Sequence, residues 1–420
     1  MITPFLKARH GWAPAQIIHP DLYEILASTE GVVVFHEQVI QIIATMTGAS
    51  LATADEKRRS LGDRDGQQEV CDWFFPAATA KGYELAIIHE IWDVLRAFAS
   101  FGFCKAHAAA FAMPTYQSAW LKRHYPAAFL AGVLTHDPGM YPKRLIVDEA
   151  RQMGLTIAPL DANASDAVYR VEDHGNAIRI ALSTIARISD SEITSIIAAR
   201  PYIDLTDFVH RSGASTPVIE SMILTGAFDR LHPDVNRRDL LLHFSDLQKS
   251  PAVTVSGAQM NLNFAPPELT SSGLPDMSSA ESVKYEVDRL GIDMSRHLIE
   301  FYGEFLNSIG AVRSSDLLKQ RSQSSVLVAG IKVAMQTPPV RSGKRVIFLT
   351  LDDGYGCSDS TFFTDVQGEY ANVLYSTSLL LVRGVTRRTG ARGISIRATG
   401  VWDLRAAYES WNTKQSTLVI

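Results

Sequence analysis

The spacing of hydrophobic residues divides the chain into a helical first third and a β-rich last fifth. Within residues 83–103, hydrophobic side chains recur at spacings of three and four, which predicts one buried helical face; they are Ile88, Ile91, Trp92, Leu95 and Phe98. Residues 31–49 begin with a β-branched run and then change to helical spacing, so we expect a helix after a short turn. The polar segment 55–69 carries charges of both signs, and we expect a turn or exposed loop there. Residues 1–155 are therefore predicted to be helical.

The pattern changes after residue 155. Residues 156–244 begin with an extended, turn-rich segment and continue, within 177–200, with a short predicted strand followed by a helical hairpin. Residues 245–280 are rich in Ser, Pro, Gly and Ala and predict a linker. We expect a helical connector over 281–321.

Residues 322–403 predict a β-domain, with a tail over 404–420. Five short runs rich in β-branched and aromatic residues are separated by Gly or Ser turns; they span 326–335, 345–353, 360–366, 378–388 and 393–401. A short helix is expected over 369–377, after the third run. Five strands with a helix after the third is the plan of an OB-fold barrel. The chain is thus predicted to be a multidomain α plus β protein.

Composition narrows the class of protein. The formal net charge of −5 argues against a wholly basic nucleic-acid binder, so any such surface must be local. Three cysteines lie far apart and form no paired motif, which fits a reducing compartment without a disulfide framework or a Cys-rich zinc site. No apolar run approaches the length of about 18 residues that a membrane span needs. We expect a cytoplasmic protein that binds no metal or cofactor of its own.

Lys105 and His107 are the first candidate functional residues. They stand in FGFCKAHAAAFAMPTYQSAWLKRHYPAAFL, residues 101–130, ahead of a run of alanines. One interpretation is that both flank a helix and that the alanines allow close helix packing. The other is phosphate or nucleotide contact, since Lys supplies a point charge and His a hydrogen bond. Arg58 and Arg59 form a second basic pair, which taken alone indicates solvated surface.

This segment resembles the fingers of bacterial DNA polymerase III alpha subunits, the C-family replicative and error-prone polymerases. The matching residues are Phe101-Gly102-Phe103, Lys105, His107-Ala108-Ala109, Tyr116, Leu121-Lys122 and Pro126, with Ala106 where the family usually has Ser. Residues 31–42 and 54–62 resemble two more blocks of the same region. The resemblance assigns residues 1–155 to the fingers. It implies that Lys105, Arg58 and Arg59 contact the triphosphate of an incoming deoxynucleotide, and His107 its sugar.

The same resemblance covers a helix-hairpin-helix region within residues 156–244. Such hairpins usually carry two glycines that let backbone amides approach a DNA phosphate. Arg187 and Ser189 stand at those positions here. Two alternatives remain open: the Arg187 guanidinium reaches DNA, or the hairpin serves only packing.

In the predicted linker, Gln259-Met260-Asn261-Leu262-Asn263-Phe264 resembles the peptide by which bacterial polymerases bind the sliding clamp. Leu262 and Phe264 would fill an apolar pocket, and Gln259 would hydrogen-bond at its rim.

The predicted barrel has a local basic surface. Nine basic and six acidic residues give residues 322–403 a net charge of +3, against −5 for the whole chain. Five arginines and no acidic residue lie between Ala371 and Trp402; they are Arg383, Arg387, Arg388, Arg392 and Arg397. On an OB-like barrel this indicates a site for single-stranded DNA, with Phe348, Phe362 or Phe363 as stacking platforms. The alternative is that these arginines only solvate exposed strands.

Nucleotidyl transfer needs two divalent metals, Mg²⁺ in the complete polymerase, held by clustered carboxylates. In the family these lie in a palm domain that precedes the fingers, and we find no Asp-x-Asp of the palm type in the first 150 residues. We expect a carboxy-terminal portion of a polymerase, through truncation, a split gene or a frameshift, that does not polymerise by itself. Replicative members of the family usually carry a further domain after the barrel, whereas about 17 residues follow Asp403 here, so the resemblance favours the error-prone branch. The expected partners are primer-template and single-stranded DNA, a deoxynucleoside triphosphate, the sliding clamp and other polymerase subunits. The alternative is a non-catalytic DNA-binding and clamp-tethering protein, or an inactive remnant.

Overall fold

The structure, a computed structural model, describes residues 2–98, 102–137, 139, 141–249, 269–338 and 345–418. The chain divides into two compact units, residues 1–120 and 121–420. Among the described residues, none of the helices combines the length and the apolar character that crossing a bilayer requires.

The first unit is helical. Its helices are α1 (Ile2–Arg9), α2 (Tyr23–Leu26), α3 (His36–Thr47), α4 (Leu51–Ser60), α5 (Arg64–Ala80), α6 (Leu85–Phe98) and α7 (Lys105–His124), the last of which continues into the second unit. The five hydrophobic residues at helical spacing in α6 are all buried, as predicted. They join residues of α3 and α5 in one core.

The expected loop over residues 55–69 is wrong, because most of it is helical. α4 continues to Ser60, and α5 begins at Arg64. Asp63 caps α5 by accepting a hydrogen bond from the Gly66 backbone N–H at 2.7 Å. The polar residues lie on the exposed sides of two helices, and Lys57 of one pairs with Glu69 of the other at 2.8 Å.

The second unit begins with helices that surround a small sheet. Its elements up to the barrel are α8 (Pro126–His136), α9 (Lys143–Gln152), β1 (Thr156–Ala158), β2 (Arg170–Glu172), β3 (Ala177–Arg179), α10 (Asp190–Ala198), α11 (Leu205–Arg211), α12 (Thr216–Leu224), α13 (Arg237–Lys249), α14 (Ser279–Leu290), α15 (Gly303–Ser308) and α16 (Ser314–Leu317). β3 lies between β1, which is parallel to it, and β2, which is antiparallel. The first half of the expected helical hairpin is only a 3-10 turn, Leu182–Thr184, because Ile185 is extended and Arg187 is left-handed.

The last domain is a closed five-stranded barrel. Its elements are β4 (Ser325–Gln336), β5 (Ile347–Asp352), β6 (Cys357–Phe362), α17 (Thr364–Ser376), β7 (Leu379–Arg388), β8 (Ile394–Asp403) and α18 (Leu404–Leu418). The strand order is β4-β5-β6-β8-β7, and β7 closes the barrel by pairing with β4. The helix after the third strand begins earlier than expected, at Thr364. The predicted fold class, α plus β with an OB-like barrel, is confirmed.

Candidate functional site

Lys105 and His107 lie in the first turn of α7, and both side chains are exposed. The Lys105 ammonium lies 5.6 Å from the centroid of the Phe35 ring, and the His107 ring lies 4.6 Å from that of Phe111. α7 has no buried residue, so its run of alanines packs against no other helix among the described residues. The first turn of α7 therefore presents a cation and an imidazole to solvent.

Two of the segments that carry the resemblance meet at this point. Phe35 and Phe103 form a parallel β-bridge. The His36 N–H donates to the Phe103 carbonyl oxygen at 2.8 Å, and the Phe103 N–H donates to that of Val34 at 3.3 Å. A Cβ on Gly102 would collide with the His36 ring, so only glycine permits this close approach.

Glu37 fixes the amino end of α7. Its Oε2 accepts a hydrogen bond from the Lys105 N–H at 2.9 Å, and its Oε1 accepts one from the Ala106 N–H at 3.1 Å. Burial alone would raise the pKa of Glu37, but these backbone hydrogen bonds lower it to about 2. No local pattern in the sequence indicates this role of Glu37, because its partners are 68 and 69 positions away.

Arg58 and Arg59 share one partner. Arg58 Nε lies 2.9 Å from Asp55 Oδ1, and Arg59 Nη2 lies 2.6 Å from Asp55 Oδ2. The Arg58 side chain is 22% exposed and that of Arg59 is 72% exposed. Hydrogen bonds from Arg58 and Arg59 lower the pKa of Asp55. Spacings of three and four on a helix would have revealed this pairing had the segment been recognised as helical.

The hairpin positions have different roles. Arg187 adopts φ +67°, the left-handed conformation that glycine usually supplies, and its side chain is exposed. Ser189 caps α10, and its N–H donates to Glu192 Oε2 at 2.9 Å. Hydrogen bonds from Ser215 and Ser189 lower the pKa of Glu192 to about 2. Because this carboxylate occupies the Ser189 amide, the exposed Arg187 guanidinium is the more accessible group for a phosphate.

The barrel arginines do not form one uniform patch. Arg387 and Arg397 line a groove of about 970 Å³ that Phe348 and Phe363 also line. The Arg397 guanidinium carbon lies 5.5 Å from the Phe363 ring centroid, and its Nη2 lies 3.2 Å from Asp365 Oδ2. Phe348 and Phe363 are 45% and 39% exposed. The groove thus combines two cations with two accessible aromatic faces.

The other barrel residues lie elsewhere. The Arg383 guanidinium carbon lies 5.3 Å from the centroid of the Trp402 ring. Arg388 donates hydrogen bonds to the carbonyl oxygens of Leu318 and Gln320. Arg392 is exposed between β7 and β8. Phe362 is fully buried in the barrel core, so it is unavailable as a stacking platform, and that expectation is corrected.

The structure also contains a buried polar cluster that no sequence pattern predicts. Asp148 of α9, His297 and Asp352 of β5 converge, and among the described residues no other trio of His, Cys, Asp or Glu ligand atoms does so. His297 Nε2 lies 3.3 Å from Asp352 Oδ2 and 3.6 Å from Asp148 Oδ2. Burial lowers the pKa of His297, but the facing carboxylates outweigh it and raise the pKa overall. These residues hold α9 and β5 together.

This cluster does not fit a Mg²⁺ pair. His297 Nδ1 accepts a hydrogen bond from the Ile299 N–H at 3.2 Å, and its Nε2 faces the two carboxylates. Arg144 Nη2 lies 3.2 Å from that same Nε2 and 3.4 Å from Asp352 Oδ2. Mg²⁺ instead requires several oxygen ligands in octahedral geometry. Asp352 Oδ2 already pairs with Arg144 and His297, which leaves too few free oxygen ligands for such an ion.

The chain does contain one Asp-x-Asp in its first 150 residues, Asp63-Arg64-Asp65. Asp63 is the cap of α5, and neither aspartate belongs to the cluster of converging ligand atoms found among the described residues. This pair has a structural role at a helix end. The predicted clamp peptide, with Gln259, Leu262 and Phe264, lies outside the described residues.

Two parts of the chain match models of known protein families. Residues 1–82 match the family model described as the bacterial DNA polymerase III alpha subunit finger domain, and residues 154–240 match that of a helix-hairpin-helix motif. The Lys105 segment lies beyond the first match, and Arg187 lies within the second.

Sequence similarity to known proteins extends over nearly the whole chain. An error-prone DNA polymerase of Symbiobacterium thermophilum is 32% identical over 96% of this chain and 42% of its own length. DNA polymerase III alpha subunits of Vibrio cholerae and Escherichia coli K12 are 31% and 30% identical, each over 98% of this chain and 37% of its own length. The chain thus spans about two fifths of the length of the curated relatives it matches. The finger match, the hairpin match and these relatives together support identifying the chain as a portion of a bacterial DNA polymerase III alpha subunit or error-prone DNA polymerase.

Proposed function

We propose that this chain is the part of a bacterial DNA polymerase that receives the incoming nucleotide and holds DNA. The observation that carries the proposal is the exposed Lys105 on α7, in a unit whose first 82 residues match the finger domain. Lys105 contacts the triphosphate as a point charge. His107, whose ring lies beside that of Phe111 on the same helix, contacts the sugar. Arg59, which is more exposed than Arg58, adds charge on α4.

The barrel groove binds single-stranded template DNA. Arg387 and Arg397 neutralise phosphates, and bases stack on Phe348 and Phe363. Asp365 restrains the Arg397 guanidinium beside the ring of Phe363, where both can reach one nucleotide. Arg187 contacts duplex phosphate at the hairpin, and Gln259, Leu262 and Phe264 attach the protein to the sliding clamp.

The 420 residues by themselves do not extend primers, since the described residues offer no carboxylate cluster suited to two Mg²⁺ ions. The chain acts in the cytoplasm with a polymerase portion that supplies those carboxylates and with other polymerase subunits. A second candidate function is that of a non-catalytic DNA-binding and clamp-tethering protein. The barrel groove favours it, because this groove needs no catalytic metal to hold DNA.

The test is to measure deoxynucleotide binding, DNA binding and primer extension with the purified chain and Mg²⁺. We expect the chain to bind both ligands and to extend no primer. Binding of DNA without any nucleotide binding would favour the second candidate. Template-dependent extension by the chain alone would overturn the expected inactivity.

A further inference from the structure

The Glu37 side chain connects α3 to the amino end of α7, the helix that carries Lys105. It lies in the first turn of α3, and its two carboxylate oxygens accept hydrogen bonds from the backbone N–H groups of Lys105 and Ala106. The Cys104 thiol lies 3.4 Å from Glu37 Oε1 as a third donor. A negative charge at this place also complements the positive end of the α7 macrodipole.

The amino end of α7 depends on such contacts. Because none of its residues is buried, hydrophobic packing contributes little to its position. Its amino end is held by the Glu37 hydrogen bonds and by the short backbone pairing of Phe103 with Val34 and His36. Phe35, the residue two before Glu37, provides the ring face over which the Lys105 ammonium lies. The segment 34–37 therefore fixes the amino end of α7 and the location of the Lys105 side chain.

We propose that Glu37 is the positioning residue for Lys105: by holding the amino end of α7, it keeps the Lys105 ammonium where a triphosphate binds it. The amides of Lys105 and Ala106, which would otherwise attract an anion, are already occupied by the Glu37 carboxylate. This inference rests on the proposed nucleotide-binding function.

Two substitutions separate geometry from charge. Glu37→Gln keeps a side-chain oxygen that can accept from the same amides, as Gln38 Oε1 does for Val34 and Phe35 at 2.8 and 3.0 Å. Glu37→Ala removes the acceptor altogether. Because α7 buries no residue, loosening its amino end leaves the core of the first unit intact. Glu90→Ala, at an exposed position on α6, is the matched control.

The experiment combines hydrogen exchange with nucleotide titration on the full chain. We expect amide exchange in the first two turns of α7 to rise about fivefold in Glu37→Ala, the usual effect of losing a helix cap. We expect its Kd for a fluorescent deoxyadenosine triphosphate to rise by at least a similar factor, roughly fivefold. Glu90→Ala should match the unaltered chain in both measurements, and Glu37→Gln, which keeps an acceptor but loses the charge, should lie between the unaltered chain and Glu37→Ala.

Each result decides the proposal. Unchanged exchange in Glu37→Ala would show that Glu37 does not anchor α7 and would overturn it. Faster exchange with unchanged or tighter nucleotide binding would also overturn it, because Lys105 would then not depend on the anchor. If the unaltered chain binds no triphosphate, the proposed function fails together with the positioning role, while the exchange result still reports the anchor separately.

Discussion

Arg388 donates a hydrogen bond to the carbonyl oxygen of Leu318 at 2.9 Å, which ties β7 to the segment that precedes the barrel. Arg387, its neighbour in β7, instead lines the groove. Side chains of adjacent strand residues point to opposite faces, so the two arginines cannot serve the same surface. Of the five barrel arginines predicted to bind DNA, Arg387 and Arg397 therefore carry the proposed contribution of the groove, and Arg388 does not.

Replacing Arg387 and Arg397 together with Ala should make the salt dependence of single-stranded DNA binding shallower. Each phosphate contact contributes a log–log slope of about −0.7, so the slope should change by roughly 1 to 1.5 units. Fluorescence anisotropy with a poly-dT oligonucleotide at several salt concentrations measures it. Arg388→Ala is the control, and its slope should match that of the unaltered chain. Equal slopes for the double variant and the unaltered chain would place the DNA outside the groove.

Stacking should be separable from charge. Phe348→Ala and Phe363→Ala should each weaken binding by about 1 to 3 kcal/mol, with little change in the salt slope, because a ring contacts bases and not phosphates. The same anisotropy titrations report both quantities. Phe362→Ala should instead destabilise the barrel by about 3 to 5 kcal/mol, since that ring is fully buried. Unchanged affinity in both exposed variants would mean that the aromatic faces do not take part.

The clamp peptide makes an independent prediction. Leu262 and Phe264 would supply most of the apolar contact, and each side chain of this size contributes about 1.5 to 3 kcal/mol when buried. Replacing both with Ala should weaken binding to immobilised clamp by more than an order of magnitude, by the same area relation. Asn261→Ala is the control within the same peptide. Equal retention of the double variant would show that the segment is only a linker.

Glu192 should make the hairpin region sensitive to acid. Its pKa falls from the ordinary value of 4.5 to about 2 in the folded protein. A lowered folded-state pKa stabilises the protein above about pH 4.5, and this stabilisation is lost as pH falls through about 2. Glu192→Gln should therefore lower the free energy of unfolding at pH 7, by no more than about 1 kcal/mol since solvent screens the carboxylate.

The check is urea unfolding of both proteins from pH 7 down to pH 2. The difference between their free energies of unfolding should shrink steadily below about pH 4.5. A difference that stays constant over that range would show that the ionised carboxylate is not what stabilises α10.

Local patterns predicted much of this fold because they depend on neighbours in sequence. The five buried residues of α6 follow from helical spacing, and the barrel follows from five β-rich runs with a helix after the third. The polar segment 55–69 predicts a loop although it is mostly helical, because an exposed helix lacks the hydrophobic period that identifies buried ones.

Long-range partners could not be predicted in the same way. Glu37 lies 68 residues before Lys105, and Asp352 lies 204 residues after Asp148, so no local pattern indicates either association. Arg388 and Phe362 show the same limit, since a strand pattern does not say which carbonyl an arginine will reach or which of two adjacent rings faces the core.

The most direct test of the proposed function is to map where a deoxynucleotide binds. A photoreactive azido-deoxyadenosine triphosphate would be cross-linked to the full chain with primer–template DNA, and the labelled peptides identified by mass spectrometry. We predict that the label lies within residues 102–125 and falls more than about tenfold in Lys105→Ala, because a charged hydrogen bond contributes roughly 1.5 to 3 kcal/mol. Lys319→Ala, which alters an exposed lysine near the barrel, should label like the unaltered chain. Undiminished labelling of Lys105→Ala, or a label confined to the barrel, would contradict the assignment of this chain to nucleotide binding.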